Sequence, residues 1–180
     1  TGQPYYVDDD LIVDSGVILS ISNGVTILMQ DNADIVVYGG LEVQGSAGSP
    51  AVIQANQFTG SERWGALCFE NASEKNVLKY LVLKDATHGN DKDRYLAAIN
   101  AYHSDLEMDE CIVNQVYGQP VYAEYGHVEI RNSTMQTHVS SDIINLKYGS
   151  GLVENCDLRG NKEPGTDGID YDGITNGIIR

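Results

Sequence analysis

The sequence predicts an all-β protein built as a solenoid, in which the chain winds through successive coils of parallel strands. Short segments with apolar residues at alternate positions recur every 22 to 26 residues. That step is too short for a β-α-β unit of about 30 residues, but it suits one coil of a solenoid. Gly, Asn, Asp and Pro separate the segments, and no stretch has the periodicity of a helix.

Three of these segments, residues 106–113, 128–135 and 151–158, show the repeat most clearly. Their aligned columns are Met108, Ile130 and Val153; Cys111, Ser133 and Cys156; and Val113, Met135 and Leu158. A polar column precedes the small residues and holds Glu110, Asn132 and Asn155. We expect the apolar columns to point into a dry core and the asparagines to form side-chain hydrogen bonds along the axis at a corner.

A second register predicts another sheet. Two columns should point inward, namely Ile99, Val121, Ile144 and Ile169, and Ala101, Ala123, Leu146 and Tyr171. The intervening columns should then point outward, namely Asn100, Tyr122, Asn145 and Asp170, and Tyr102, Glu124, Lys147 and Asp172. This outward surface is the part of the sequence on which we expect function.

The earlier residues continue the pattern, so we predict one domain over residues 1–180 with about seven coils. We expect residues 5–11 to protect the N-terminal end and the C-terminal end to be truncated, since residues 178–180 stop partway through a coil. Residues 87–95 are polar and break the repeat, which predicts a surface loop insertion. The chain lacks an initial Met, and we expect it to be a piece of a longer, secreted polypeptide.

The composition narrows the classes of partner. The formal net charge of −15 repels phosphate backbones and anionic membranes, which argues against nucleic-acid binding, and no apolar run is long enough to insert in a membrane. Acidic side chains attract calcium. Three cysteines cannot all pair, and Cys111 and Cys156 lie two coils apart, about 10 Å, which is beyond disulfide reach.

Several segments resemble a known group. They are residues 15–27, Gly40–Gly45 and the Trp64–Gly65 pair. Together they resemble the opening coils of the right-handed parallel β-helix (pectin-lyase-like) region of bacterial secreted and surface proteins. The resemblance implies a right-handed parallel β-helix located outside the cell or on its surface. It is weakly specific for activity, because this fold carries lyases, hydrolases, epimerases and inert stalks.

The densest acidic segment, residues 165–173, contains the candidate catalytic residues. Asp170 and Asp172 alternate on a predicted strand, so their carboxylates project to the same side about 6.6 Å apart. Such a pair could act as the acid and base of a glycosidase or could hold one calcium ion. Residues 166–170 also resemble a motif of polygalacturonase-type hydrolases, although Gly165 replaces its Asn; the resemblance implies that Asp167 is a catalytic carboxylate.

Tyrosine is unusually frequent, with 11 copies against two phenylalanines. Tyr102 and Tyr122 are predicted to point outward beside Glu124, Asn145 and Lys147, and aromatic rings with polar neighbours suit a glycan-binding groove. We therefore expect a non-catalytic extracellular structural or adhesion module that binds glycan or calcium. The alternatives are a polysaccharide hydrolase or lyase with its cleft on this face, and a subunit that assembles end to end into filaments through its open coil edge.

Overall fold

The computed structural model describes residues 2–161 and 164–180, and it confirms the all-β solenoid. Three parallel sheets of seven strands each form its sides. Each coil gives one strand to each sheet in turn, so consecutive strands in a sheet come from consecutive coils. This arrangement amounts to about seven coils, as the repeat predicted.

The strands are numbered in chain order. Sheet 1 consists of β1 (Tyr5–Val7), β4 (Thr26–Met29), β7 (Ala51–Ala55), β10 (Leu81–Lys84), β13 (Ile112–Val116), β16 (Thr134–Thr137) and β19 (Asp157–Arg159). Sheet 2 consists of β2 (Leu11–Val13), β5 (Ile35–Val37), β8 (Leu67–Glu70), β11 (Ala97–Tyr102), β14 (Gln119–Glu124), β17 (Ile144–Lys147) and β20 (Ile169–Asp172). Sheet 3 consists of β3 (Ile18–Ser22), β6 (Gly40–Gln44), β9 (Asn76–Lys79), β12 (Leu106–Asp109), β15 (His127–Arg131), β18 (Ser150–Glu154) and β21 (Asn176–Ile179).

The core is one continuous cluster of apolar side chains that runs through the coils. The predicted inward columns are correct: Met108 pairs with Ile130, and Ile130 pairs with Val153, and all three are buried. The sheet 2 register is also as predicted, because Ile99, Val121, Ile144 and Ile169 are paired in series. Ile169 and Tyr171 are only partly buried, since β20 is the last strand of its sheet.

In the later coils, the corners on either side of sheet 3 turn at single residues in the left-handed conformation. Between sheets 3 and 1, Glu110, Asn132 and Asn155 have φ of 55°, 50° and 52°. Asparagine adopts this conformation more readily than most residues, which explains its place in the column. Asn155 Nδ2 donates to Asn132 Oδ1 at 3.5 Å, so the predicted asparagine contact along the axis exists but is long.

Two coils are longer than the repeat predicted. Leu67 pairs with Ile35 in the coil before and with Ile99 in the coil after. More residues separate Leu67 from each of these partners than separate Ile99 from its next partner, Val121. The extra residues of the first coil include a short 3-10 helix, Gln57–Thr59. Those of the second include the predicted insertion, residues 87–95, which folds back over the outer side of sheet 2 and buries Tyr95. We call this segment the strap.

The expected protection of the N-terminal end by residues 5–11 is wrong. These residues form β1 and the start of β2, which belong to the first coil and lie at the edges of their sheets. Tyr5 and Tyr6 are 65% and 55% exposed, and a cavity of about 440 Å³ opens among Tyr5, Leu11, Leu19 and Val25. Residues 5–11 were expected to cover the first coil, but they form part of that coil.

The thiols are unpaired, as the spacing of Cys111 and Cys156 predicted. Cys68, Cys111 and Cys156 are all free thiols, and Cys111 Sγ lies 3.2 Å from the carbonyl oxygen of Leu78. Burial raises the pKa of the Cys111 thiol to about 12. Within the described residues, no helix has the length and apolar character needed to cross a bilayer.

The two phenylalanines provide a matched test of the core. Phe69 is fully buried, whereas Phe58 is 86% exposed. We predict that Phe69→Ala lowers the free energy of unfolding by about 3–5 kcal/mol, because it removes a large side chain and leaves a cavity. Phe58→Ala should change it by no more than about 0.5 kcal/mol. Urea denaturation of both variants measures the difference, and equal losses would contradict the predicted core.

Candidate ligand-binding face

The outer surface of sheet 2 carries the residues that the sequence proposed for binding, and we call it the outward face. It has two columns of side chains. The first runs Val36, Cys68, Asn100, Tyr122, Asn145 and Asp170. The second column lies two residues further along each strand and runs Glu70, Tyr102, Glu124, Lys147 and Asp172.

The first column points away from the core but is largely covered. Asn100, Tyr122 and Asn145 are 1%, 7% and 5% exposed. Asn100 bonds both backbone groups of Ala97, three residues earlier, so its polar atoms are satisfied within its own strand. The outward direction was therefore predicted correctly, but accessibility was not, because alternation along a strand carries no information about what packs on top of it.

The second column is more accessible. Tyr102, Glu124 and Lys147 are half-buried, and Asp172 is exposed. The hydroxyl of Tyr122 donates to Glu124 Oε2 at 3.1 Å. Burial raises the pKa of Tyr122 and of Tyr125, and in both the nearby Glu124 carboxylate raises it further. The phenols therefore stay protonated, and they surround a carboxylate that accepts hydrogen bonds.

A stack of rings at the corner between sheets 2 and 3 borders this column. His103, Tyr125 and Tyr148 occupy equivalent left-handed positions, with φ of 46°, 60° and 53°. The His103 and Tyr125 rings are stacked with centroids 4.6 Å apart, and the Tyr125 and Tyr148 rings are stacked at 5.3 Å. Gly173 follows in the same corner, and a Cβ there would meet the Tyr148 ring at 2.7 Å.

The candidate residues taken from the sequence did not include these three, although the spacing that predicts the stack was present. Their numbers differ by the same steps as the strand columns, so they had to lie directly above one another. A non-glycine residue in this conformation costs about 1–2 kcal/mol. A stacked aromatic pair contributes about 0.5–1.5 kcal/mol, which offsets much of that cost.

The stack changes what the tyrosines can offer a ligand. Ring faces turned toward each other are covered, and Tyr102 packs edge-on against His103 and Tyr125. Tyr125 and Tyr148 are nevertheless 45% and 53% exposed. Stacking of a sugar on these covered ring faces is therefore restricted. A ligand here would meet ring edges, phenol hydroxyls, the Glu124 carboxylate and the Lys147 ammonium group.

The acidic segment lies at the C-terminal end of the outward face. Asn145 Nδ2 donates to Asp142 Oδ2 and to Asp170 Oδ2, each at 3.2 Å, and so bridges two carboxylates. Burial raises the pKa of Asp170, and the charges of Asp172, Asp142 and Asp167 raise it further, while Lys147 lowers it. The structure thus brings together the three predicted aspartates, Asp167, Asp170 and Asp172, and adds Asp142, which the sequence did not single out.

The predicted calcium ligands have partners within the protein. Lys147 Nζ lies 3.4 Å from Asp172 Oδ2, and Asn145 Nδ2 donates a hydrogen bond to Asp170 Oδ2. In the described parts of the chain, no group of three or more His, Cys, Asp and Glu side chains is arranged so that it could hold a metal ion. Asn145 Oδ1 is buried without a hydrogen-bond partner in the same residues.

Another groove lies where the chain passes from sheet 1 to sheet 2, and it contains none of the predicted site residues. It has a volume of about 520 Å³, and its lining includes Asp31, Glu62, Arg63, His88 and Tyr117. The guanidinium carbon of Arg63 sits 3.6 Å from the centre of the Tyr117 ring. Two carboxylates, those of Asp31 and Glu62, share this groove with the Arg63 guanidinium.

No protein-family model, no curated protein and no solved structure matches this chain. The residues of the outward face are therefore the observations from which a function can be inferred.

Replacing Asp170 by asparagine tests the charge balance of the acidic segment. The folded-state pKa of Asp170 lies above its ordinary value of 3.8, so its ionisation destabilises the fold at neutral pH. We predict that Asp170→Asn raises the melting temperature at pH 7 in the presence of EGTA. The difference should shrink as the pH falls through the folded pKa toward 3.8, because the wild-type carboxyl then takes up a proton.

Asp172→Asn is the matched control for this prediction. It also removes one negative charge, but it breaks the ion pair with Lys147. The pair is partly exposed and contributes at most about 1 kcal/mol, and its loss is partly offset because the repulsion between Asp172 and Asp170 also disappears, so this variant should melt close to the wild type. A lower melting temperature for Asp170→Asn than for Asp172→Asn would contradict the charge balance described above.

Proposed function

We propose that the chain is a non-catalytic module of an extracellular or cell-surface protein, which binds a glycan along its outward face. The observation that carries this proposal is the group of hydroxyl, carboxylate and ammonium groups around Glu124. They are fixed on a stiff scaffold by strand pairing and by the ring stack beside them. The resemblance of residues 15–27 and Gly40–Gly45 to bacterial β-helix proteins supports the extracellular location.

The chemistry of this group suits a polyol. A carboxylate can accept hydrogen bonds from neighbouring sugar hydroxyls, while phenol hydroxyls can donate or accept and Lys147 can donate. Side chains that are already held in place lose little conformational entropy when a ligand binds. Equivalent positions also recur at about 4.8 Å along the axis and carry Tyr102, Glu124 and Lys147 in turn, so a chain-like ligand lying on the face could make polar contacts at successive coils.

Glycan-array screening followed by calorimetry tests the proposal. We predict that Glu124→Gln weakens binding of a selected glycan about tenfold or more, since a hydrogen bond to a charged group is worth about 1.5–3 kcal/mol. Tyr148→Phe should weaken it less, because the ring stack remains and only the hydroxyl is lost. Tyr5→Phe, a change at an exposed tyrosine of the first coil, is the control and should bind normally. Absence of any glycan ligand, or full affinity in Glu124→Gln, would refute the proposal.

Calcium binding at Asp170 and Asp172 stays a prediction, and the unpartnered Asn145 oxygen supports it. The orientation of an amide follows from its hydrogen bonds, and half a turn of the Asn145 amide would direct its oxygen toward Asp142 and Asp170. Oxygen ligands of this kind suit calcium. Calcium should then raise the melting temperature of the wild type but not that of Asp170→Asn/Asp172→Asn. An equal response in both proteins would rule out this site.

One observation favours polysaccharide hydrolysis as a second candidate. Asp170 has a raised pKa, as a general acid requires, and Asp172 two residues later is paired with Lys147. In this alternative Asp170 would protonate the leaving oxygen, and Asp167 or Asp172 would act as the base or nucleophile. Release of reducing sugars from a panel of polysaccharides, abolished by Asp170→Asn, would establish hydrolysis. If none of the polysaccharides is cleaved, glycan binding remains the proposed function.

A further inference from the structure

The strap covers a second, smaller apolar cluster that lies outside the main core. Val36, Ala66 and Cys68 project from the outer side of sheet 2, and Tyr95 of the strap packs on them. Cys68 is fully buried, and Val36 and Tyr95 are each 6% exposed. These contacts make the strap a close-fitting cover of the outward face, where the sequence suggested a surface loop.

Two carboxylates of the solenoid hold the strap at its two ends. Asp34 Oδ2 accepts the backbone N–H of Asn90 at 2.8 Å, while its Oδ1 accepts the N–H of Ala66 at 2.8 Å. Glu70 uses both oxygens: Oε2 accepts the Tyr95 hydroxyl at 2.7 Å, and Oε1 is bonded to Arg94.

The strap is otherwise well solvated and keeps its own shape. Residues 88, 90–94 and 96 are exposed, and between them only Gly89 and Tyr95 are buried. Asp91 organises the turn, because its backbone oxygen accepts the N–H groups of Arg94 and Tyr95. Its two ends are tied to the solenoid: the N–H of Thr87, its first residue, is bonded to the carbonyls of Trp64 and Gly65, and β11 begins at Ala97, shortly after its last residue. The strap is thus a preformed unit between two fixed ends.

Closing the strap has an energetic cost that works against its contacts. It leaves Asp34 and Glu70 only 2% and 8% exposed, and taking carboxylates out of water is expensive even when they are hydrogen-bonded. Segments with few buried apolar contacts open with much smaller free energies than the strands of a core. The coils beneath it do not depend on the strap, since their strands pair with each other.

We propose that the strap is a reversible cover, which opens as a unit while the solenoid stays folded and so uncovers the N-terminal part of the outward face. When closed, it occupies both oxygens of Glu70 and places Arg94 5.6 Å from the centre of the Tyr102 ring. Opening frees Glu70 and that face of Tyr102, which continue the column of Glu124 and Lys147. The face then becomes longer by up to two coils. This inference concerns the strap itself and does not rest on the proposed glycan binding.

The cysteines allow opening to be measured directly, because a buried thiol reacts with a small alkylating reagent only when its cover opens. Cys111→Ser/Cys156→Ser leaves Cys68 under the strap as the reporter. Cys68→Ala/Cys156→Ser leaves Cys111 in the main core as the reference. Serine suits the replaced positions, since Ser133 occupies the same column between them. Circular dichroism and melting confirm that each variant is folded.

With iodoacetamide under native conditions, we expect Cys68 to react at least tenfold faster than Cys111, at a rate that low concentrations of urea do not change. Adding Tyr95→Ala should increase the alkylation rate of Cys68 a further tenfold or more, and the alkylation rate of Cys111 should change by no more than about twofold. Equal rates for Cys68 and Cys111, with or without Tyr95→Ala, would show that only global unfolding exposes Cys68 and would overturn the proposal. A Cys68 that reacts as fast as a free thiol would also overturn it, because the strap would then cover nothing.

Discussion

Parallel pairing between successive coils is the constraint on which the rest of the structure depends. Each strand bonds its equivalents one coil before and one coil after, at a spacing of about 4.8 Å. Every side chain is thereby placed on the side chains at the same position in neighbouring coils. This single rule makes the core columns of Ile99 and Val121, the asparagine contact at one corner and the ring stack at another.

The same constraint accounts for the nature of the candidate site. Rings held about one coil apart pack on each other, so the stack of His103, Tyr125 and Tyr148 stabilises a corner whose backbone conformation disfavours tyrosine. Polar groups are meanwhile brought to fixed distances, and Glu124 receives its hydroxyl contacts from tyrosines of its own coil. The residues that stabilise this corner therefore lie beside those proposed to bind, and the hydroxyls and charges at the edge of the stack are what a ligand could reach.

Charge has a different role at each end of the outward face. At the C-terminal end, four aspartates lie close together, and burial together with the charges of the other three raises the pKa of Asp170, with Asn145 and Lys147 as the compensating groups. Toward the N-terminal end, Asp34 and Glu70 are nearly buried beneath the strap. An acidic protein thus uses some of its carboxylates as anchors for a covering segment and leaves others exposed to ions or ligands.

The sequence by itself determined the solenoid, the approximate number of coils and the inward columns of sheets 2 and 3. It could do so because a constant step and strict alternation follow from local strand geometry. The two long coils on either side of Leu67, the exposed first coil and the burial of Tyr122 and Asn145 were decided only by the tertiary structure. The ring stack was implied by a spacing equal to that of the strand columns, but its geometry depends on corner conformations. The insertion at residues 87–95 was predicted, but its packing onto the outward face could not be foreseen, because the partners of Asn90 and Tyr95 are distant in the chain and no periodic pattern connects them.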